Sequence, residues 1–320
     1  MVKKSDQVFL VTKTKIKNFK NTSKNLNFLF KHVDLIFSAI KYKNGSLKII
    51  GGNVRDLLNG EKMSSDTDLV TDLRIEDVIF CLKKKKIRFK ETGLKFGCIT
   101  AIIENNLIEI TSLRSDVSTD GRWAKTTHTN DWTLDAMRRD FTINSIYCDL
   151  KGRIFDPFNG INDLAKKKVV FIGNAEERIV EDNLRILRFL RFSLKYSNSF
   201  DKNGLKACEK LKLSLKNLSF ERKNSELVKL ICLEKFEKKI QTIISTGILR
   251  EIFECKINIK NIKKLFYIER KLSIVDAERR IKFFINRSRN TLIKKYPSKF
   301  RKSFLKRIKS KIKFLNYEQS

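Results

Sequence analysis

The chain has only 2 prolines and 12 glycines among its 320 residues. So few turn formers argue against collagen-like, linker-dominated and many-stranded β architectures, and favour long helices. No stretch approaches the roughly 18 uninterrupted apolar residues that a membrane span requires, so no membrane partner is expected. Six cysteines stand at 81, 98, 148, 208, 232 and 255 with no close pair. Neither zinc-ligand spacing nor a disulfide framework is visible, and a reduced, cytoplasmic setting is the simplest expectation. His32 and His128 are the only histidines, too few and too distant for a catalytic diad or a histidine–aspartate hydrolase centre. The first 25 residues carry lysine but no arginine, unlike the Arg-rich amphipathic pattern of a transit peptide, and read as a basic arm.

What is present is a core and a large positive charge. Apolar residues make up 41% and aromatics 10%, enough to fold despite a charged fraction of 33%. The length argues for two domains or one elongated modular body. Lys and Arg number 69 against 36 acids, a net charge of +33, which fits a polyanionic partner. Codon bias toward Lys, Asn, Ile and Phe gives the same composition without any such partner. The distribution is more telling, because residues 256–320 hold 21 basic and 4 acidic side chains.

Hydrophobic periodicity divides the chain. Residues 26–42 have helical spacing, SLKII reads as a strand running into Gly51 and Gly52, and VRDLLNG as a helix closed by Gly60. Residues 66–71 read as a second strand, IEDVIFCLKKKK as a helix, and FGCITAII and LIEITSLR as strands joined by Glu104, Asn105 and Asn106. From Asp135 onward the pattern predicts helix almost throughout, interrupted at KGRIFDPFNGINDL, where the domain boundary is expected. The predicted organisation is an arm (1–25), an α/β head (26–150), a helical neck (151–230) and a basic helical body and tail (231–320).

Asp66 and Asp68, two apart on a predicted strand, share one face and can converge on hard cations. Two Mg2+ ions roughly 3.5 to 4 Å apart can activate an attacking hydroxyl and stabilise a leaving phosphate. Acid-x-acid pairs also arise by chance as solvated surface. The Gly51–Gly52 turn and the helix start beside it add weight, since helix N-termini present N–H groups to phosphate. Arg55, one turn in, can pair with a triphosphate, or with Asp56 or Glu61. Glu109, flanked by Ile108 and Ile110, faces either solvent or the metal site. Arg138, Arg139 and Asp140 precede FTINSIY and can equally form a surface ion pair. On a helix beginning at Glu181, Asp182 and Arg185 would be i,i+3 neighbours. They would form either a salt bridge or an acceptor–donor pair matching the edge that cytosine and adenine share. Arg188 and Arg191 continue the same spacing.

In order and spacing, GGNVRDLLNG, DTD, IEITSLR, RRDFTINS, DPFNGINDL, EDNLRILRFLRF and ERKNSEL resemble the class II tRNA nucleotidyltransferases, the CCA-adding enzymes, and the similar bacterial poly(A) polymerases. The resemblance spans about residues 46–230. It implies an α/β nucleotidyltransferase head followed by an all-α neck, body and tail. It implies Mg2+ on Asp66 and Asp68, with Glu109 as an acid near the metal. Gly51, Gly52, Arg55 and Arg139 would lie at the triphosphate, Asp182 with Arg185 would read the base, and Arg188 and Arg191 would help hold the nucleotide. The implied activity is addition of C, C and A from CTP and ATP to the 3′ end of tRNA, with pyrophosphate leaving. Poly(A) addition, CC-only or A-only addition, and a catalytically inactive RNA-binding scaffold remain as alternatives.

Overall fold

The structure, a computed structural model, describes residues 8–10, 33–61, 67–120, 123–253, 259–277 and 279–281. The chain divides into two compact units, residues 1–182 with 196–201, and residues 183–195 with 202–320.

The first unit is α/β. Its strands are β1 (Val8–Leu10), β2 (Leu47–Ile50), β3 (Thr67–Thr71), β4 (Arg88–Gly93), β5 (Cys98–Ile103) and β6 (Asn106–Ser112), then β7 (Arg114–Asp120), β8 (Trp123–His128), β9 (Tyr147–Cys148) and β10 (Arg153–Phe155). Its helices are α1 (Asp34–Ile40), α2 (Gly52–Leu58), α3 (Ile75–Lys84), α4 (Trp132–Met137), α5 (Gly160–Ala165) and α6 (Ala175–Glu181). Among the described residues, eight strands form one sheet in the order β1-β10-β9-β2-β3-β6-β5-β4, while β7 and β8 pair as a separate hairpin. Only β3 and β6 run parallel in that sheet.

Strand alternation gives the sheet two buried faces. Ile49, Leu69, Ile99, Ile108 and Ile110 point to one side and pack with Ile36, Ile40, Val78 and Leu82 from α1 and α3. Ile50, Val70 and Leu113 point to the other, under Ala136 and Tyr147. On that second side the register lines up one row across five adjacent strands. Tyr147 lies opposite Ile50, Ile50 opposite Asp68, Asp68 beside Glu109, and Glu109 opposite Thr100. Register partners project from the same face, so this row sets out the site.

Three expectations change. The segment from Asp135 to Cys148 is helical only as far as Met137, then forms a 3-10 turn at Thr142–Asn144 and the strand β9. Asp140 is the local cause: its carboxylate accepts from the Phe141 N–H and from Asn144 Nδ2, both at 2.9 Å, and so competes with helix continuation. The units part at Asp182 and not near residue 151, because β10 pairs with β9 and draws the Gly- and Pro-containing segment into the head sheet. A helix starting at Glu181 does not form either. Glu181 ends α6, and Asp182 is extended with φ −151° and ψ 105°. Asp and Asn favour such breaks because their side chains compete for local backbone groups.

The second unit is all helical among its described residues, comprising α7 (Arg185–Tyr196, whose last residue belongs to the first unit), α8 (Lys202–Lys210), α9 (Phe220–Ile231), α10 (Glu234–Ser245), α11 (Ile248–Phe253) and α12 (Ile259–Lys271). Phe236 of α10 packs edge-on against Phe266 of α12 at 6.2 Å between centroids. Arg280, buried, pairs with the buried Glu269 at 2.7 Å and also donates to the Ile231 carbonyl. These contacts carry the unit's core past residue 255. No helix among the described residues is long and apolar enough to cross a membrane.

Candidate active site

The row on the second sheet face brings two of the expected acids together. Asp68 and Glu109 are exposed register partners on the parallel strands β3 and β6, whose backbones run about 4.8 Å apart. Ile108 and Ile110 are buried in the opposite face, and this alternation is what pushes Glu109 outward. Asp66 lies outside the described residues. A pair of carboxylates on adjacent strands, exposed to incoming ligand, is the hard oxygen donor set that a divalent cation takes.

Gly51 sits at the end of β2 with φ +78°, a conformation that favours glycine. A side chain there would also meet Asp68 Oδ2 at 3.6 Å. The turn therefore brings bare backbone next to the acid, and α2 begins at Gly52. Arg55 in that helix is buried, with a side-chain exposure of 8%. Its Nε donates to Asp56 Oδ1 at 3.0 Å, its Nη1 donates to Asn144 Oδ1 at 2.5 Å, and its guanidinium stacks 4.3 Å from the Tyr196 ring. The Tyr196 hydroxyl donates to Asp56 at 2.7 Å, and burial pushes its pKa up. Arg55 pairs with Asp56, and Asn144 and Tyr196 join the pair without any mark in the sequence that would single them out.

Arg139 is held by Asp135 and Tyr147. Asp135, fully buried on α4, receives Arg138 Nε and Nη2 on Oδ1 at 2.9 and 2.7 Å. Its Oδ2 receives Arg139 Nη2 at 3.1 Å and the Tyr147 hydroxyl at 2.8 Å. The Tyr147 oxygen in turn accepts from Arg139 Nε at 3.2 Å. Although burial alone would raise the Asp135 pKa, the two guanidiniums and the hydroxyl hold it below the ordinary carboxylate value. Burial also pushes the Tyr147 hydroxyl pKa up, so it stays protonated and can donate. The i,i+3 and i,i+4 spacing from Asp135 to the two arginines was visible in the sequence. The tyrosine, eight residues beyond Arg139, was not.

In the second unit Arg185 opens α7, and Arg188 and Arg191 follow on it. Arg191 Nε contacts Glu226 Oε2 at 2.6 Å, Arg188 Nη1 is 3.8 Å from Glu226 Oε1, and both guanidiniums lie over the Phe192 ring, at 4.3 and 5.1 Å. Glu226 is buried. Two of the three arginines are thus fixed by a carboxylate from the ERKNSEL block. Asp182 lies outside both α6 and α7, so the helical-neighbour argument for Asp182 and Arg185 does not hold.

Residues 47–170 match the family described as Poly A polymerase head domain, and residues 199–256 the one described as a probable RNA and SrmB-binding site of polymerase A. Both matched models describe poly(A) polymerases, and over these residues the chain is similar to the tRNA nucleotidyltransferase and poly(A) polymerase family. Members of this nucleotidyltransferase family are generally metal-dependent. The mitochondrial CCA tRNA nucleotidyltransferase 1 of Mus musculus is 41% identical over 217 residues, which cover 66% of this chain and 49% of that protein. The human counterpart is 44% identical over 196 residues, covering 59% and 44%. The chain thus spans about half the length of the curated relatives it matches. Among solved structures, the Bacillus stearothermophilus CCA-adding enzyme in complex with CTP aligns at a TM-score of 0.62 and 28% identity, covering 69% of this chain and 53% of that one. The α/β head and helical remainder of the present chain are consistent with its structural neighbours.

Proposed function

We propose that the protein is a CCA-adding tRNA nucleotidyltransferase that extends tRNA 3′ ends from CTP and ATP and releases pyrophosphate. The observation that supports this best is the row Tyr147–Ile50–Asp68–Glu109, which sets an acidic pair and an arginine-bearing tyrosine on one sheet face of a chain 41% identical over 217 residues to a CCA tRNA nucleotidyltransferase. Asp66 and Asp68 hold Mg2+ in this reading, with Glu109 beside them. The chemistry supplied by bound Mg2+ is a lowered pKa for the attacking 3′ hydroxyl and charge neutralisation on the departing pyrophosphate. The protein's own residues do the rest. Gly51 lets backbone approach the acid, Arg139 takes phosphate charge, and Arg55 with Asp56 and Tyr196 keeps α2 in place. Asp182 and Arg185 read the base edge, while Arg188 and Arg191 support the nucleotide through Glu226. The head is catalytic, the neck recognises the nucleotide, and the basic C-terminal residues bind tRNA. A reduced, cytoplasmic compartment suits the cysteines, of which the five described are all free.

The deciding assay offers the purified protein tRNA ending before, within and after CCA, with each triphosphate singly. Incorporation of CTP on tRNA lacking CCA supports the reading. Repeated ATP incorporation without CTP use would favour poly(A) addition instead. Glu109→Gln is expected to lower kcat less than loss of Asp68 does, by roughly tenfold, because it removes charge beside the metal and not a primary ligand. An unaffected kcat would assign Glu109 to the scaffold.

The basic C-terminus makes a separate expectation. Residues 282–320 hold 13 basic and 1 acidic side chains, and a cut after Ile281 spares the buried Glu269–Arg280 pair. The truncated protein should bind tRNA with a flatter dependence of log K on log salt, each lost phosphate contact lowering the slope by about 0.9. An unchanged slope in a folded truncated protein would leave codon bias as the source of that charge.

A further inference from the structure

The Arg139 guanidinium plane is fixed from two sides by Asp135 and Tyr147. Its Nε is tied to the Tyr147 oxygen and its Nη2 to Asp135, while neither bond uses Nη1 and the side chain stays 20% exposed. The Tyr147 hydroxyl both donates to Asp135 and accepts from Arg139, closing a ring of three side chains. Asp135 gives its other oxygen to Arg138, so the Tyr147 oxygen supplies the second anchor of the Arg139 guanidinium. Position gives the ring its meaning. Tyr147 stands in the same register row as Asp68, two strands away, and therefore about 10 Å from it on the same face.

We propose that Asp135 and the Tyr147 hydroxyl are positioning groups that lock the Arg139 guanidinium in advance, so that its outer edge receives the pyrophosphate portion of the incoming nucleotide. This rests on the nucleotidyltransferase reading and deepens it. An unrestrained arginine gives up rotamer freedom when it takes a phosphate, and that loss weakens binding. Here the freedom is gone before the ligand arrives. Two parallel N–H groups of a rigid fork also match phosphate oxygens better than a swinging one. The aromatic ring of Tyr147 is packed among Ile50, Val70, Leu113 and Ala136, so the hydroxyl can be removed without disturbing the core.

Tyr147→Phe is the test, measured as nucleotide KM and kcat on tRNA lacking CCA, and as binding of inorganic pyrophosphate by calorimetry without tRNA. The expected result is a nucleotide KM raised about fivefold with kcat within twofold of wild type. Pyrophosphate should weaken by the same factor, with tRNA affinity unchanged. Asp135→Asn should weaken pyrophosphate further, and its folding is checked by thermal melting. A Tyr147→Phe protein that melts lower but keeps wild-type KM and pyrophosphate affinity overturns the inference, since the ring would then be scaffold. Wild-type protein that adds CTP yet takes no pyrophosphate also overturns it, while leaving the proposed activity standing. Wild-type protein that adds no nucleotide, yet binds pyrophosphate in a Tyr147-dependent way, supports the ring and rejects the activity.

Discussion

Asp68→Asn should abolish nucleotide incorporation, with less than a tenth of wild-type turnover remaining, while the protein stays folded and keeps its tRNA affinity. The structural half of this expectation comes from burial. Asp68 is exposed on β3, and the strand is held by its backbone ladders to β2 and β6 and by the fully buried Leu69 next to it. Changing one carboxylate oxygen to an amide at an exposed strand position typically costs no more than about 0.5 kcal/mol of stability. The chemical half is large, because an amide supplies no negative charge to a divalent cation, and without the cation neither hydroxyl activation nor charge neutralisation on pyrophosphate occurs. Asp66→Asn should behave alike. Single-turnover incorporation of labelled CTP, alongside circular dichroism and a tRNA binding isotherm, checks both halves. Turnover above a tenth in both variants would reject the metal assignment, and a collapse of the fold would place Asp68 in the architecture.

The head was legible where a strand alternates over a run of apolar residues. LKII, DLVT and LIEIT match β2, β3 and β6 nearly to the residue, because each places apolar side chains in the cores of the sheet. The hairpin β7–β8 and the short strands β9 and β10 were missed. Two or three residues are too few for a period, and β10 exists because β9 and β1 flank it. Helical spacing misled where a tertiary partner outweighed it. FTINSIYC contains Ile146, Tyr147 and Cys148, whose alternate faces fill the two cores of the sheet, and that burial outweighs helix propensity. The candidate site residues stand out in the sequence as residue types, whereas the distant groups that orient them do not. Asn144, Tyr196 and Glu226 act across 35 to 140 residues of sequence, a separation over which one chain's pattern carries no signal.

Base choice gives the second large effect: Asp182→Ala should raise use of UTP relative to CTP by about tenfold or more. Cytosine and adenine each present an amino group beside an unprotonated ring nitrogen, while uracil and guanine present a carbonyl beside a ring N–H. A carboxylate that accepts and a guanidinium that donates suit the first edge and oppose the second, and each mismatched polar group costs roughly 1 to 3 kcal/mol when desolvated. Removing the carboxylate removes the penalty for the uracil carbonyl, so discrimination falls even as the rate with CTP declines. Arg185→Ala should instead weaken CTP and ATP together, since both present an acceptor to the same donor. The backbone sharpens the contrast with an ordinary salt bridge. Asp182 is extended and outside the helix that Arg185 opens, so regular i,i+3 helix pairing does not account for the two residues. A simple surface pair would give two variants with slightly lower melting temperatures and wild-type nucleotide choice. Values of kcat/KM for all four triphosphates on tRNA lacking CCA separate the outcomes. If the ratio of CTP to UTP stays at the wild-type value in both variants, Asp182 and Arg185 do not read the base.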